Sequence, residues 1–473
     1  MIAPAGTTRS DLTVRLGAWH AETDFTLTVP PGWEVFRADP ADAPEMTEQE
    51  IHDAFAKPIG TPTLRDLAAG KRTAVVAVDD LTRPTPAHRF LPLVIDELTR
   101  GGIAEDRVHI LMGAAAHRPM NESELSRKLG PAIAARFKPV MHDFMGPDIQ
   151  YFGRIQGGPV YLNRHFLDAD LRICIGAAVP HGEAGFGGGA KMVVPGLAGR
   201  LTIAHFHGSL PARKAGCLEA PAGRLDRRAW SEAVASAVGV GAVVCAVVNS
   251  SRQLAGLYVG DVVEAHRAAA RHACRVGRTV VPSTVSRAVD AVLVNAYPLD
   301  TDPIQMGKSV SLAGGLAPKL TVVLNAASDG IFYHGMGMGS GVSAKRLLRN
   351  VPRWLFSPAS HRAFFLGAKQ VLHGPTLAAR LAYFSLNHLA YSEFQNGEGR
   401  RSPHEPAEMI DEDASNVLVF SQRFPTWGLA RKFRGQARLY RRWNDLAAVL
   451  ERRMPTARAV LLPCAPLQLL EIQ

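Results

Sequence analysis

At 473 residues, 47% of them hydrophobic and 20% charged, the chain exceeds one ordinary core and has the makeup of a folded globular protein, which excludes a disordered or fibrous one. Lysine and arginine outnumber aspartate and glutamate by 53 to 43, a net charge of +10. Five cysteines (Cys174, Cys217, Cys245, Cys274 and Cys464), odd in number and without CxxC spacing, argue against a disulfide framework or a thiolate metal site and for a reducing compartment.

The opening MIAPAGTTRSDLTV lacks the apolar core of a signal peptide, and no apolar run reaches membrane-spanning length. A cytoplasmic protein without membrane contact is expected. Up to about Gly70, strand-like pieces (LTVRLG, FTLTVP) alternate with turn clusters such as Pro30-Pro31-Gly32. TAVVAVDD, from Thr73 to Asp80, reads as a buried strand ending in two acids, with LTRPTP as the loop beyond it. Phe90, Val94 and Leu98 share one helical face and predict a helix from Ala87 to Arg100. DRVHILMGAAA is the next strand and runs into His117-Arg118, after which Asn121 and Glu124 are spaced for a capping box. PVMHD and LRICIGAAVP supply two further strands.

Strands separated by helix-length segments imply parallel βαβ units, and such sheets bind ligands beyond the carboxyl ends of their strands. Here those ends carry Asp80 with Arg83, His117 with Arg118, His142 with Asp143, and His181. The densest stretch follows, HGEAGFGGGAKMVVPGLAGRLTIAHFH from His181 to His207. Its glycine run allows close backbone approach to an anion. Lys191, just after it, suits a phosphate contact, a base, or the attachment point of a carbonyl-type cofactor. His205 and His207 would face one side of an extended segment.

GAVVCAVVN and VVEAHRAAARHA continue the α/β rhythm to a hinge-like VGRTVVPSTVSR. A domain change is placed near Pro282. Residues 1–281 form an α/β domain carrying cofactor and acid/base residues. Residues 282–473 form a second α/β domain contributing substrate contacts, with room for its last segment to pack back on the first. Both have mostly parallel sheets flanked by helices, with the site in the cleft between them. The second set runs through AVLVNAYPLD, IQMGKS, LTVVLNAA, NVLVFS and RAVLLP. The glycine-rich HGMGMGSG has the wrong spacing for a dinucleotide fingerprint and reads as a turn or a secondary phosphate contact. The basic stretch RFPTWGLARKFRGQARLYRRW, from Arg423 to Trp443, reads as an amphipathic helix with a solvated arginine face, since no nucleic-acid motif accompanies it.

If these groups meet in one cleft, two histidines can alternate as general base and acid. Arg83 and Lys308 can clamp a carboxylate, with Gln305 adding a neutral hydrogen bond. That set suits stereochemical inversion beside a carboxylate better than hydrolysis, because neither GxSxG nor HExxH occurs. Abstracting hydrogen from a carbon that bears a hydroxyl needs an electron sink, so a redox cofactor is expected.

DLTRP (Asp80 to Pro84), HRPMNESEL (His117 to Leu125) and PHGEAGFGGGAKMVVPG (Pro180 to Gly196), with His207 and the QMGK of Gln305 to Lys308, together resemble the signature of the nickel-pincer lactate racemase family. The resemblance spans roughly residues 70 to 310. It implies a cytoplasmic isomerase, a racemase or epimerase of a 2-hydroxy acid. Its cofactor would be a pyridinium-3,5-bisthiocarboxylic acid mononucleotide carrying nickel, tethered through Lys191, with His207 completing the metal coordination. It implies further that Asp80, Leu81, Thr82, Arg83, Gly188 and Gly189 line the cofactor. His117 and His181 would be the acid/base pair, and Arg83, Gln305 and Lys308 the substrate contacts. The resemblance implies that the cofactor would take a hydride from the α-carbon as one histidine removes the hydroxyl proton, and that its return to the other face would invert C2. The implied partners are the small-molecule substrate and the cofactor-synthesis enzymes.

His205 and His142 are surplus and read as structural. Gly187 stands where the family usually has serine, and Ile304 where the lactate enzyme has tyrosine. A larger or differently polar 2-hydroxy acid is therefore as open as lactate. Two alternatives stand beside this reading: a lyase or hydrolase in which Lys191 forms a Schiff base, and a non-catalytic protein that binds the nickel nucleotide.

Overall fold

The computed structural model describes residues 12–117, 119–219, 225–301, 306–328, 415–423 and 437–473. Two six-stranded sheets dominate it. In the first, the spatial order is Leu254–Gly260, Ala242–Val248, Leu171–Ala177, Ala74–Asp79, Val108–Gly113 and Val140–Met141. All neighbours are parallel except Leu254–Gly260, which runs antiparallel to Ala242–Val248. The run from Ala74 to Val78 is buried on both faces: Ala74, Val76 and Val78 enter one core, Val75 and Ala77 the other. That double burial explains an unbroken apolar run where a half-exposed strand would alternate.

The second sheet is parallel throughout, in the order Ala437–Tyr440, Val417–Phe420, Leu320–Leu324, Ala291–Asn295, Thr456–Leu462 and Gly32–Arg37. The early strand Gly32–Arg37 thus pairs with the late strand Thr456–Leu462. The short strand Arg278–Val281 pairs with Leu469–Ile472 near the end of the chain. These mostly parallel sheets, covered by helices, make the α/β class predicted from the sequence.

The helix expected from Ala87 is a 3-10 turn, Ala87–Arg89, followed by the α-helix Leu91–Arg100, whose Phe90, Val94 and Leu98 flank is fully buried. The capping box is present: Asn121 Oδ1 accepts the Glu124 N–H at 3.0 Å, and Glu124 Oε2 accepts the Asn121 N–H at 2.8 Å. The basic stretch is corrected in its described part. Ala437–Tyr440 is an edge strand, with Leu439 and Tyr440 packing into cores on opposite faces, and the helix begins only at Trp443. The remainder of that stretch, residues 424–436, and the HGMGMGSG loop lie outside the described residues.

Each sheet has a point where its connections diverge. In the first it lies between Leu171–Ala177 and Ala74–Asp79, in the second between Ala291–Asn295 and Thr456–Leu462. A crevice opens beyond the carboxyl ends of strands at such points.

Candidate active site

A cavity of about 1160 Å³ lies there, lined from the first sheet by Asp80, Thr82, Arg83, His117, His181, Glu183, Gly188, Lys191 and His207, and from the second by Lys308, Ser311, Leu312, Ala465 and Pro466. The turn after Ala74–Asp79 presents the first group. Asp80 Oδ1 accepts the Thr82 N–H at 2.9 Å and its hydroxyl at 2.6 Å, a local turn typical of aspartate. Asp80 Oδ2 receives His117 Nδ1 at 2.5 Å, so the ring is held with Nε2 as its other working atom. Burial alone would raise the Asp80 carboxyl, but the charge and hydrogen bond of His117, with Thr82 and Arg83, outweigh it and hold it below the usual carboxylate range.

Behind the turn, Lys128 Nζ pairs with Asp79 Oδ1 at 2.6 Å. Burial pushes the Asp79 carboxyl up and the Lys128 ammonium down, each opposed by the other's charge. Thr85 donates its hydroxyl to Asp79 Oδ2 at 2.5 Å.

His181 follows the Leu171–Ala177 strand. Its Nδ1 accepts the Glu183 N–H at 3.2 Å, and its Nε2 lies 2.8 Å from Lys191 Nζ. With Nδ1 accepting, the neutral ring carries its proton on Nε2 and donates it to the lone pair of a neutral Lys191 amine. The electrostatics agree. Burial first, then Arg83 and Lys308, push Lys191 well below the usual lysine value. Burial, Lys191, Lys308 and Arg83 likewise push His181 well below its ordinary value. Lys308 is itself depressed by burial and Arg83, and its buried Nζ has no hydrogen-bond partner among the described residues. The Arg83 guanidinium and two lysine nitrogens converging on one cavity make a site for an anion.

The glycine run is gripped from below. Gly188 adopts φ +69°, where a Cβ would lie 3.0 Å from the Ala177 carbonyl oxygen, so only glycine fits without strain. At Gly189 (φ +57°) a Cβ would meet the His266 ring at 2.6 Å. His266 Nε2 donates to the Gly187 carbonyl at 2.7 Å, and Arg228 donates to His266 Nδ1 at 2.9 Å and to the Ala184 carbonyl at 2.8 Å. Sequence reasoning missed His266 and Arg228, as it missed Glu183 and Lys128.

His205 and His207 lie on a helix, Arg200–Gly208, and not on an extended segment, so two residues apart they diverge. His205 packs edge-on against Trp230, with ring centroids 5.0 Å apart, and His207 alone lines the cavity. His207 Nδ1 donates to the Ile203 carbonyl at 3.1 Å, and its Nε2 faces Glu183 Oε2 at 3.3 Å. That hydrogen bond and charge, with Arg227, pull Glu183 down to about 2 against its burial. His142 is buried away from the cavity, donating from Nε2 to the Ala198 carbonyl and accepting the Asn163 amide at Nδ1. Leu81 faces the core. Gln305, Ile304 and Arg118 lie outside the described residues.

Residues 20–216 match the lactate racemase N-terminal domain family. The chain is 29% identical over 299 residues to the lactate racemase of Thermoanaerobacterium thermosaccharolyticum, a match covering 61% of this chain and 68% of that protein. It is 29% identical over 314 residues to the lactate racemase of Lactiplantibacillus plantarum, covering 62% and 70%. Among solved structures, the lactate racemase apoprotein from T. thermosaccharolyticum superposes with a TM-score of 0.63 at 19% identity, covering 97% of this chain and 100% of the other. A Thermotoga maritima protein superposes with a TM-score of 0.54 at 17% identity, covering 91% and 100%. The structural likenesses establish the fold, and the family match over residues 20–216 spans DLTRP, HRPMNESEL and the stretch from His181 to His207. Over residues 20–216 the chain is similar to the lactate racemase family, and the relatives it matches are named lactate racemases, which are isomerases.

Proposed function

We propose that the chain inverts C2 of a 2-hydroxy acid, using a lysine-tethered nickel-pincer nucleotide as cofactor and His117 and His181 as the acid/base pair. One observation carries the reading: two imidazoles with opposite partners, Asp80 behind one and Lys191 beside the other, share a cavity with Arg83 and Lys308.

The residues fit the cofactor. The neutral Lys191 amine is the nucleophilic form that a covalent attachment needs. His207 commits Nδ1–H to a carbonyl, the outer contact that typically orients a metal-bound imidazole, so Nε2, which faces Glu183 here, is the atom that would turn to nickel. The glycine wall, with Thr82 and Arg83, lets a nucleotide approach closely, and the volume exceeds what a small hydroxy acid fills. When bound, that group supplies the hydride acceptor that an imidazole lacks. The protein's own part is to hold the substrate carboxylate on Arg83 and Lys308 and to move the hydroxyl proton. His181, whose Nε2 carries the ring proton, gives a proton to that hydroxyl oxygen on one face. His117, balanced by Asp80, serves the opposite face. Gln305 is assigned to the substrate, and a domain change near Pro282, with Gly32–Arg37 crossing into the second sheet, would put cofactor and substrate contacts on separate domains. The five free cysteines and the lack, among the described residues, of a helix long and apolar enough to cross a membrane support a cytoplasmic enzyme.

The test is mass spectrometry and metal analysis of protein produced together with the cofactor-synthesis enzymes. A nucleotide-sized adduct on the Lys191 peptide, with nickel lost in His207→Ala, is the expected result. An unmodified Lys191 without nickel, under conditions that load a known family member, rejects this proposal. A borohydride-trapped imine in its place would favour the Schiff-base enzyme. Adduct and nickel without inversion of any 2-hydroxy acid would leave a binding protein.

A further inference from the structure

We infer that Lys128, which does not touch the cavity, is a positioning residue: it fixes the Asp79–Arg83 turn and thereby the Asp80–His117 pair. The inference rests on the acid/base role proposed for His117.

Lys128 lies near the end of the helix Glu122–Leu129 and is fully buried. A lysine there gives up its hydration, and a buried ion pair is often no more stable than a well-packed apolar one. Stability alone therefore does not account for it. Its contacts do. Besides Asp79 Oδ1 at 2.6 Å, its Nζ donates to the main-chain carbonyls of Asp80 at 3.0 Å and Arg83 at 3.2 Å, the two residues whose side chains reach the cavity. Trp19 Nε1 donates to the same Arg83 carbonyl at 3.2 Å, and its ring stands 5.0 Å from the Lys128 nitrogen. Asp79 is anchored in turn by Thr85 and by the Ala177 N–H at 3.4 Å, on the strand across the switch point. The turn is thus pinned at both ends by one ammonium. The 2.5 Å contact between Asp80 and His117 tolerates little drift, and a misplacement of about 1 Å in such a group costs about a hundredfold in rate.

The experiment uses Lys128→Met combined with Asp79→Asn, which removes the pair without orphaning a buried charge. The first readout needs no cofactor. In histidine-labelled protein, the proton shared by His117 Nδ1 and Asp80 gives a strongly deshielded NMR resonance, assigned by its loss in Asp80→Asn. That resonance is expected to move upfield or vanish in the double variant. The second readout is inversion of a 2-hydroxy acid by the loaded enzyme, with kcat falling about a hundredfold and KM changing little. Should the double variant fail to fold, Lys128→Arg is read identically, since it keeps the charge but cannot set one nitrogen on both carbonyls. An unmoved resonance overturns the inference, as does an unchanged kcat. If loaded wild-type protein inverts nothing, the proposed function falls, while the resonance still judges Lys128.

Discussion

The two imidazoles facing the cavity are the same side chain in opposite surroundings. Behind His117 stands a carboxylate, Asp80, bonded to Nδ1 and itself tied to Thr82. His181 has a backbone N–H at Nδ1 and a lysine amine at Nε2, with Lys308 and Arg83 adding positive charge. The first setting orients a ring and balances a positive charge on it; the second keeps a ring neutral. Pairs of titratable groups whose environments are pushed apart mark acid and base assignments. On the proposed reading, inversion at a stereocentre does not need symmetric machinery, only two proton carriers on opposite faces.

The harshest way to break the comparison is to delete either member. His117→Ala and His181→Ala are each expected to lower the inversion rate by about a thousandfold, as for loss of a general acid or base, measured by chiral chromatography of a 2-hydroxy acid. A variant keeping full activity would remove its histidine from the reaction. Next, Asp80→Asn leaves His117 in place but takes away the acceptor that fixes its tautomer. A fall of about a hundredfold in kcat is expected, with the His181 side untouched. If Asp80→Asn instead raised KM alone, the carboxylate would be serving binding. A milder change addresses the other side. Lys308→Met removes one nitrogen from the proposed carboxylate clamp but leaves Arg83, so KM should rise about tenfold while kcat holds within a few-fold.

The comparison also explains what was legible beforehand. The strand runs around Val76 and Ile175, the capping box at Asn121 and the charged strand ends are local patterns, and local patterns survive in one dimension. The grouping of Asp80, His117 and His181 followed from a topological rule, that parallel strands deliver their ends to one edge. Lys128, Arg228 and His266 were not legible. Each acts through main-chain carbonyls of segments roughly 40 to 80 positions away, and a carbonyl leaves no mark on residue type. The pairing of Gly32–Arg37 with Thr456–Leu462 was hidden for the same reason, since strand partners so distant share no local signal. His205 failed differently: its alternation with His207 suggested an extended segment, but Ile203 and Phe206 bury one helical face and the backbone follows them.

A third imidazole sharpens the contrast between the histidines proposed to react and one that holds structure. His142 sits at the same sheet edge as His117, yet both of its nitrogens are spent on Ala198 and Asn163. Burial lowers it to about 4 from an ordinary 6.5. Its folded value lies below the unfolded one, so unfolding takes up a proton in the interval between them. Stability from this group is then complete above about pH 6.5 and is lost as pH falls toward 4, by up to about 3 kcal/mol. Below 4 both states are protonated and the dependence ends. Thermal melts of His142→Gln should show a flatter profile across that window, with inversion at neutral pH close to wild type. Equal slopes in the two proteins would assign the acid sensitivity elsewhere. A collapse of activity at neutral pH would mean that His142 does more than brace the strand end.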